Sequence, residues 1–386
     1  MLLTHVLDEP CPTCGIKGKF GRVNVTRNRL FRGCNACNYR EHLPLPQLRK
    51  RVIYLDQNFL SHAFRRGTTS FVDAANKIKA LAQKQLVVCP WSNVHEIESH
   101  IWRDTRAKDL WEFIKQTARG HKFKQPSEIK LHQAQRLFDL AQRGQPFDSA
   151  ISRADGLDRD IDDWDDYFWI DVGRFTDDPE RVRVNRARSH DQLISALAVW
   201  RANPKPFEAE LLEEAAVYAR DLWLIYVKWM QACATGSIDD MLNASDEVLI
   251  VQGLMARAAG DDDFMGQARR VAQFLGSAHF RATPYLDIAS RLFAVLRKLA
   301  RAGRGDKRHA GVFGDINAVA TYAPYCDAVF LDREMRRWTL DDDGQIARRY
   351  GFKVFSAETW AEFDDYLAEI DQGAAELSPD LAKVYG

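Results

Sequence analysis

No run in this 386-residue chain is apolar for long enough to cross a bilayer. The most hydrophobic stretch, Leu222 to Met230, is interrupted by Lys228 and falls far short of the ~20 residues that a spanning helix needs. Neither sign of charge is in excess. The 54 Lys and Arg balance 54 Asp and Glu, so the molecule as a whole exerts no general pull on a polyanion, and any such pull comes from local asymmetry. Met1-Leu2-Leu3-Thr4-His5 lacks the basic head and sustained apolar core of a secretory leader. There is no internal repeat. The seven cysteines are odd in number and uneven in spacing, which excludes a secreted disulfide framework. A cytoplasmic protein with no membrane partner is expected.

Three regions differ in composition. Residues 1–48 hold two cysteine pairs and leave through Leu43-Pro44-Leu45-Pro46, which reads as a linker. From about 50 to 100 the pattern is strand, helix, strand, helix: Val52 to Leu55, Phe71 to Lys84, Leu86 to Cys89, then a helix opened by Pro90 with Ser92 as its cap. The stretch from about 105 to 300 carries helical faces such as Leu211 to Met230 and Tyr285 to Arg301, and reads as a helical insertion that folds out of the way. The α/β pattern resumes with a helix from Asp315 and strands at Ala328 to Leu331 and Lys353 to Phe355. The expected fold is α/β, a sheet assembled from both ends of residues 49–386, with a small N-terminal metal-binding ribbon.

Cys11-Pro12-Thr13-Cys14 and Cys34-Asn35-Ala36-Cys37 have the spacing of a four-cysteine tetrahedral zinc site. Four thiolates leave no open coordination position, so this Zn²⁺ would be structural. Cys89, Cys233 and Cys326 lie singly in apolar surroundings and read as core residues. Between the pairs, Lys17, Lys19, Arg22, Arg27, Arg29 and Arg32 alternate with Phe20 and Phe31, and Arg40, Arg49, Lys50 and Arg51 follow. A basic ribbon with aromatic residues suits contact with phosphates and bases. A solvated hairpin surface is the plainer alternative.

Two strands run directly into aspartate, Val52-Ile53-Tyr54-Leu55-Asp56 and Ala328-Val329-Phe330-Leu331-Asp332, which places both acids at the carboxyl edge of a sheet. Glu96 and Asp315 accompany them. Four carboxylates in one pocket would repel one another without a cation. In order and context the four segments resemble the motifs of PIN-domain nucleases: a strand ending in Asp56, Glu96 early in the helix after the second strand, Asp315 opening a helix, and Asp332 after a later strand. Leu331 departs from the polar residue usual before the last acid. The resemblance covers about 50–100 and 310–360. It implies a PIN-like domain with carboxylate-bound Mg²⁺ or Mn²⁺ hydrolysing phosphodiester bonds, RNA being a likelier substrate than DNA. Glu98 competes with Glu96, because two helical positions apart only one of them faces the site. The family pattern favours Glu96.

Other features carry less. The acidic run Asp155 to Asp166 resembles the start of a calcium loop, but its glycine position holds Asp163 and its terminal ligand position Trp169. It is expected to be solvated, with a self-inhibitory cover for a basic groove as a lesser reading. The stretch Arg301 to His309, with Gly303, Gly305, Lys307 and Arg308, lacks the Ser or Thr of a phosphate loop. A basic loop that grips the substrate backbone and a plain solvated loop are equal readings of it. His95 and His309 lie near the acids and read first as structural.

The expectation is therefore a metal-dependent nuclease, an endoribonuclease in the first instance. Its rivals are an inactive nucleic-acid-binding or scaffold protein with the same core, and a phosphatase acting on a small substrate. PIN-like domains often pair, which makes a homodimer one option, and the insertion offers a place for a dimer surface, a substrate clamp or a protein partner alike.

Overall fold

A computed structural model describes residues 2–102, 106–147, 151–165, 179–236, 245–260, 263–303 and 311–385. Two four-stranded sheets organise it. The first is an antiparallel meander of β1 (His5–Val6), β2 (Phe20–Thr26), β3 (Arg29–Cys34) and β4 (Arg40–Pro44). The second is parallel, in the order β6 (Val87–Val88), β5 (Arg51–Leu55), β7 (Ala328–Phe330), β8 (Lys353–Phe355). Strands from opposite ends of the chain are thus neighbours, as the sequence pattern requires.

Alternation along the parallel strands sorts the core into two layers, since successive side chains point to opposite faces. Ile53, Leu55, Ala328 and Phe330 face α1 (Gln57–Arg65), α2 (Thr69–Gln83), α4 (Ala107–Ala118) and α16 (Trp360–Gln372). Val52, Tyr54, Val329 and Leu331 face α7 (Pro179–Ala202), α12 (Pro284–Arg301), α13 (Val312–Tyr322) and α14 (Arg333–Thr339). A third core joins α5 (Pro126–Gln142), α8 (Phe207–Ala234), α9 (Asp246–Ala258), α10 (Phe264–Leu275) and α11 (Ala278–Arg281). No described helix is long and apolar enough to cross a membrane.

Three sequence expectations change here. The helical stretch from 105 to 300 does not fold out of the way: Leu193, Leu197, Ile288 and Leu292 from α7 and α12 pack against the sheet, and Trp111 of α4 packs against the other face. A parallel sheet with short connections needs helices on both faces, and these supply much of that cover. The Leu-Pro-Leu-Pro exit is no free linker. Leu43 and Pro44 complete β4, while buried Leu45 and Leu48 join Val25 and Leu30 against Val384 of α17 (Ala374–Tyr385).

The acidic run, third, is solvated only in part: Asp158 and Asp160 are exposed, whereas Asp162 to Asp165 are held by the fold. Asp162 accepts from the Lys50 amide at 2.9 Å, and Lys50 Nζ donates to the Asp163 carbonyl at 2.8 Å and to Asp165 at 2.9 Å. Trp164 Nε1 donates to the Pro46 carbonyl at 2.8 Å. Lys50 precedes β5 and Asp56 follows it, so this part of the run is anchored at the sheet edge opposite Asp56. That placement removes Asp162 to Asp165 as a cover for a groove at Asp56. Asp166 and Trp169 lie outside the described residues. Asp327 belongs to the same edge, accepting from the Val52 amide and from Arg51 and Arg153.

Candidate functional site

Asp56 is fixed by the ladder. Leu55 pairs with Phe330, and the Asp56 amide donates to the Phe330 carbonyl at 3.0 Å, which brings Asp56 and Asp332 to one sheet edge. Asp56 precedes the first turn of α1 and Asp332 that of α14, where Asp332 accepts from the Met335 amide at 2.7 Å. Asp332 therefore caps its own helix, and the neighbouring Arg333 and Arg337 pair with Glu358. Leu331 is a buried core residue, which accounts for an apolar side chain before that acid.

Asp315 does not open its helix. The cap of α13 is Gly311, and the Asp315 amide donates to the Gly311 carbonyl at 3.0 Å, one turn inside. A capping role for its carboxylate is thereby removed.

These acids share a cleft of about 1080 Å³, lined by Asp56, Asp315, Asp332 and Glu98. Beneath it lies a cavity of about 10 Å³ whose walls include Asp56, Asp315, Asp332 and Leu331, on the order of the space one water occupies. Glu96 is not among the residues lining the cleft. Glu96 and Glu98 lie on α3 (Asn93–Ile101), and two positions separate them by ~200° around the axis, so the helix that presents Glu98 turns Glu96 away. The family pattern favoured the wrong one of two acids for this cleft, because spacing along a sequence does not fix helix rotation.

Electrostatics agree with the geometry. Burial, and then the charges of Glu98 and Asp332, push the Asp56 carboxyl up to about 8, against the pull of the Gln57 and Asn58 amides. The outer wall adds basic residues, beside the exposed Glu334. Exposed Arg65 and Arg333 line it, as do His62 and Arg183, and Arg183 belongs to α7 within the helical stretch. Arg183 donates to the Ile101 carbonyl at 3.0 Å and pairs with Glu180. The Arg65 guanidinium lies 4.6 Å above the ring of Trp102, another wall residue. Neither Arg183 nor Trp102 is legible as a site residue from sequence, since no motif marks them.

His95 is buried and structural. Its Nδ1 accepts from the Ser92 amide at 3.0 Å and its Nε2 faces the Leu55 carbonyl at 2.7 Å, which secures Ser92 as the cap expected for α3. Gly305, Lys307, Arg308 and His309 lie outside the described residues, and Arg301 pairs with Glu210.

The second cluster is the cysteine quartet. Cys11, Cys14, Cys34 and Cys37 hold their sulfurs within 4.8 Å of one another, close enough to bind a metal ion. The Cys11–Cys37 and Cys14–Cys34 separations of 3.6 and 3.8 Å match the ~3.8 Å edge of a tetrahedron with 2.3 Å metal–sulfur bonds. Gly15 at φ +71° makes the tight return after Cys14. Among the described residues this quartet is the group whose ligand atoms crowd so closely, and the cleft acids are set wider apart.

The basic ribbon divides. Lys17, Lys19, Arg27 and Arg29 are exposed. Arg22 and Arg32 are buried instead, donating to the Val384 and Lys383 carbonyls at 3.2 and 3.1 Å. Those carbonyls belong to the last turn of α17, which needs acceptor partners that its own helix cannot supply. The two arginines are thus helix-capping groups, removed from the proposed nucleic-acid face.

Comparison of this chain with protein-family models, with curated proteins and with solved structures finds no match.

Proposed function

We propose that this chain is a metal-dependent nuclease, an endoribonuclease in the first instance, in which Asp56, Glu98, Asp315 and Asp332 hold Mg²⁺ or Mn²⁺. The observation that carries the reading is the meeting of Asp56, Asp315 and Asp332, from three separate segments, around one cleft and one water-sized cavity, with Glu98 on the cleft wall. Their order along the chain resembles that of PIN-domain nucleases. Hard oxygen ligands suit these ions, and the wider spacing of the acids suits an ion that retains several waters. A bound ion would supply Lewis-acid activation of water and neutralise charge developing on a phosphate.

The chain's own residues perform the remainder. The acids exclude any bare anion from the inner cleft, so a phosphate enters only together with the cation. Arg65, Arg183 and Arg333 line the outer cleft, where a polyanionic backbone would run. Trp102 with its stacked Arg65 offers a flat surface for an unpaired base. Hydrolysis then joins a water oxygen to phosphorus as one phosphorus–oxygen ester bond breaks, leaving a phosphomonoester and a free hydroxyl. In the ribbon, the cysteine quartet would hold a structural Zn²⁺.

The test is cleavage of labelled single-stranded RNA and DNA in Mg²⁺, Mn²⁺ or EDTA, with Asp56→Asn, Glu98→Gln and Glu96→Gln. Metal-dependent cleavage lost by about 10²-fold or more in the first two and kept in the third is expected. Binding without cleavage in any metal would establish the inactive scaffold instead, and hydrolysis restricted to small phosphomonoesters would establish a phosphatase.

A further inference from the structure

Helix α8 is apolar on two opposite sides. Its inner face, with Ala215, Ala219, Leu222 and Tyr226, is buried in the third core. On its outer face Val217, Leu224 and Ile225 are exposed, Leu224 at 47%. A surface helix that serves only its own core turns polar residues outward, so a continuous apolar stripe on the far side marks a contact surface.

The order of residues along that stripe says what covers it. At helical spacings of three and four stand Glu213, Val217, Arg220 with Asp221, Leu224 and Lys228, over about 22 Å of axis. The order is complementary to its own reverse. Turned end for end about the midpoint between Arg220 and Asp221, it sets Val217 against Leu224, Arg220 against Asp221 and Glu213 against Lys228. Ala216, on the flank, meets Ile225. A two-fold interface joins one patch to the same patch of a second copy, so that residue i meets j while j meets i. A different partner calls for no such palindrome. A parallel pairing in register would oppose Arg220 to Arg220 and Asp221 to Asp221. Within the single chain Arg220 pairs with Asp221 at 3.0 Å, both of them well exposed, and a pair of this kind exchanges partners at little cost. Glu213 already holds Lys205 and Arg297, and a facing Lys228 would join them.

We propose that α8 is the seam of a homodimer, its outer face packed antiparallel against the same face of a second copy. Val217 and Leu224 supply the apolar contact at the centre, and the charges fix direction and register. The proposal stands apart from the metal-site reading, since no residue of α8 lines the carboxylate cleft.

The experiment weighs the full chain by sedimentation equilibrium across a concentration series. The wild type should reach twice the chain mass and dissociate on dilution. Leu224→Asp should stay at the single mass with its circular dichroism unchanged, because that position is exposed in the chain. Arg220→Asp and Asp221→Arg should each dimerise about 10-fold or more weakly, since each sets like charges face to face. Mixed in equal amounts, those two variants should pair with each other at close to wild-type strength, because acids then meet bases across the seam. A wild type that keeps the single mass at every concentration would overturn the proposal and leave the face to a partner of another kind. A dimer indifferent to Leu224→Asp, or to both charge variants, assembles through another surface and would overturn it as well.

Discussion

Nε2 of His95 lies 2.7 Å from the carbonyl oxygen of Leu55, the residue immediately before Asp56. The other ring nitrogen accepts from the Ser92 amide, so the imidazole is neutral with its proton on Nε2. One side chain thus ties the start of α3, which carries Glu98, to the end of the strand that delivers Asp56. His95 is a positioning residue rather than a reacting one.

Its titration gives a pH signature. Burial holds the His95 imidazole down to about 4, against the pull of the Leu55 carbonyl. The unfolded chain takes up its proton near 6.5, before the folded chain does. The stabilisation is therefore complete above that pH and is lost as pH falls towards 4, by on the order of 3 kcal/mol. Melting temperature between pH 8 and 4 should decline for the wild type. His95→Gln should begin lower and decline less across the same range, and an equal slope in both would assign the acid sensitivity to other groups.

At the opposite sheet edge, Lys50 is fully buried against Asp165. Burial pushes the Asp165 carboxyl up, but His121 and Lys50 outweigh it and hold the group below the usual carboxylate range. Asp165→Asn would strand a buried ammonium, at a cost of about 3–5 kcal/mol. Denaturant unfolding at neutral pH should register that loss while metal binding at the distant cleft persists.

Removing metal from the cysteine quartet should loosen more than the ribbon. Buried Cys34 ends β3, whose Arg32 bonds the last turn of α17 and whose Leu30 packs in the same core as Val384. Cys34→Ser should lose one equivalent of zinc by elemental analysis and expose α17 to limited proteolysis. Loss of zinc with α17 still protected would separate the two.

The six basic residues of the ribbon should divide into two classes. Arg27→Gln with Arg29→Gln, both exposed, should weaken single-stranded nucleic-acid binding and lower its salt slope by about 0.7 for each phosphate contact removed. Arg22→Gln should lower the melting temperature, because it deserts the Val384 carbonyl. Equal salt slopes for wild type and double variant would place the phosphates elsewhere.

Much of the parallel sheet was legible because β-branched and aromatic runs announce strands, and two of those runs lead into Asp56 and Asp332 just past the strand ends. The cysteine cluster was legible from spacing alone, since two tight knuckles leave few ways to arrange four sulfurs. The acidic run misled in its second half because its composition suits water, whereas Asp162, Asp163 and Asp165 meet Lys50, a partner 112, 113 and 115 positions away along the chain. Likewise Arg22 and Arg32 read as surface charge until their acceptors, the carbonyls of a distant helix end, come into view.

The sequence by itself determined the two strand–aspartate junctions, the cysteine quartet and the division into helix-rich and strand-bearing regions, because these rest on local periodicity and spacing. Tertiary structure alone decided that Glu98 rather than Glu96 lines the cleft, that α7 and α12 cover the sheet, and which face of α8 is left exposed. Those outcomes depend on how helices rotate and pack, and rotation is set by contacts between segments far apart in the chain.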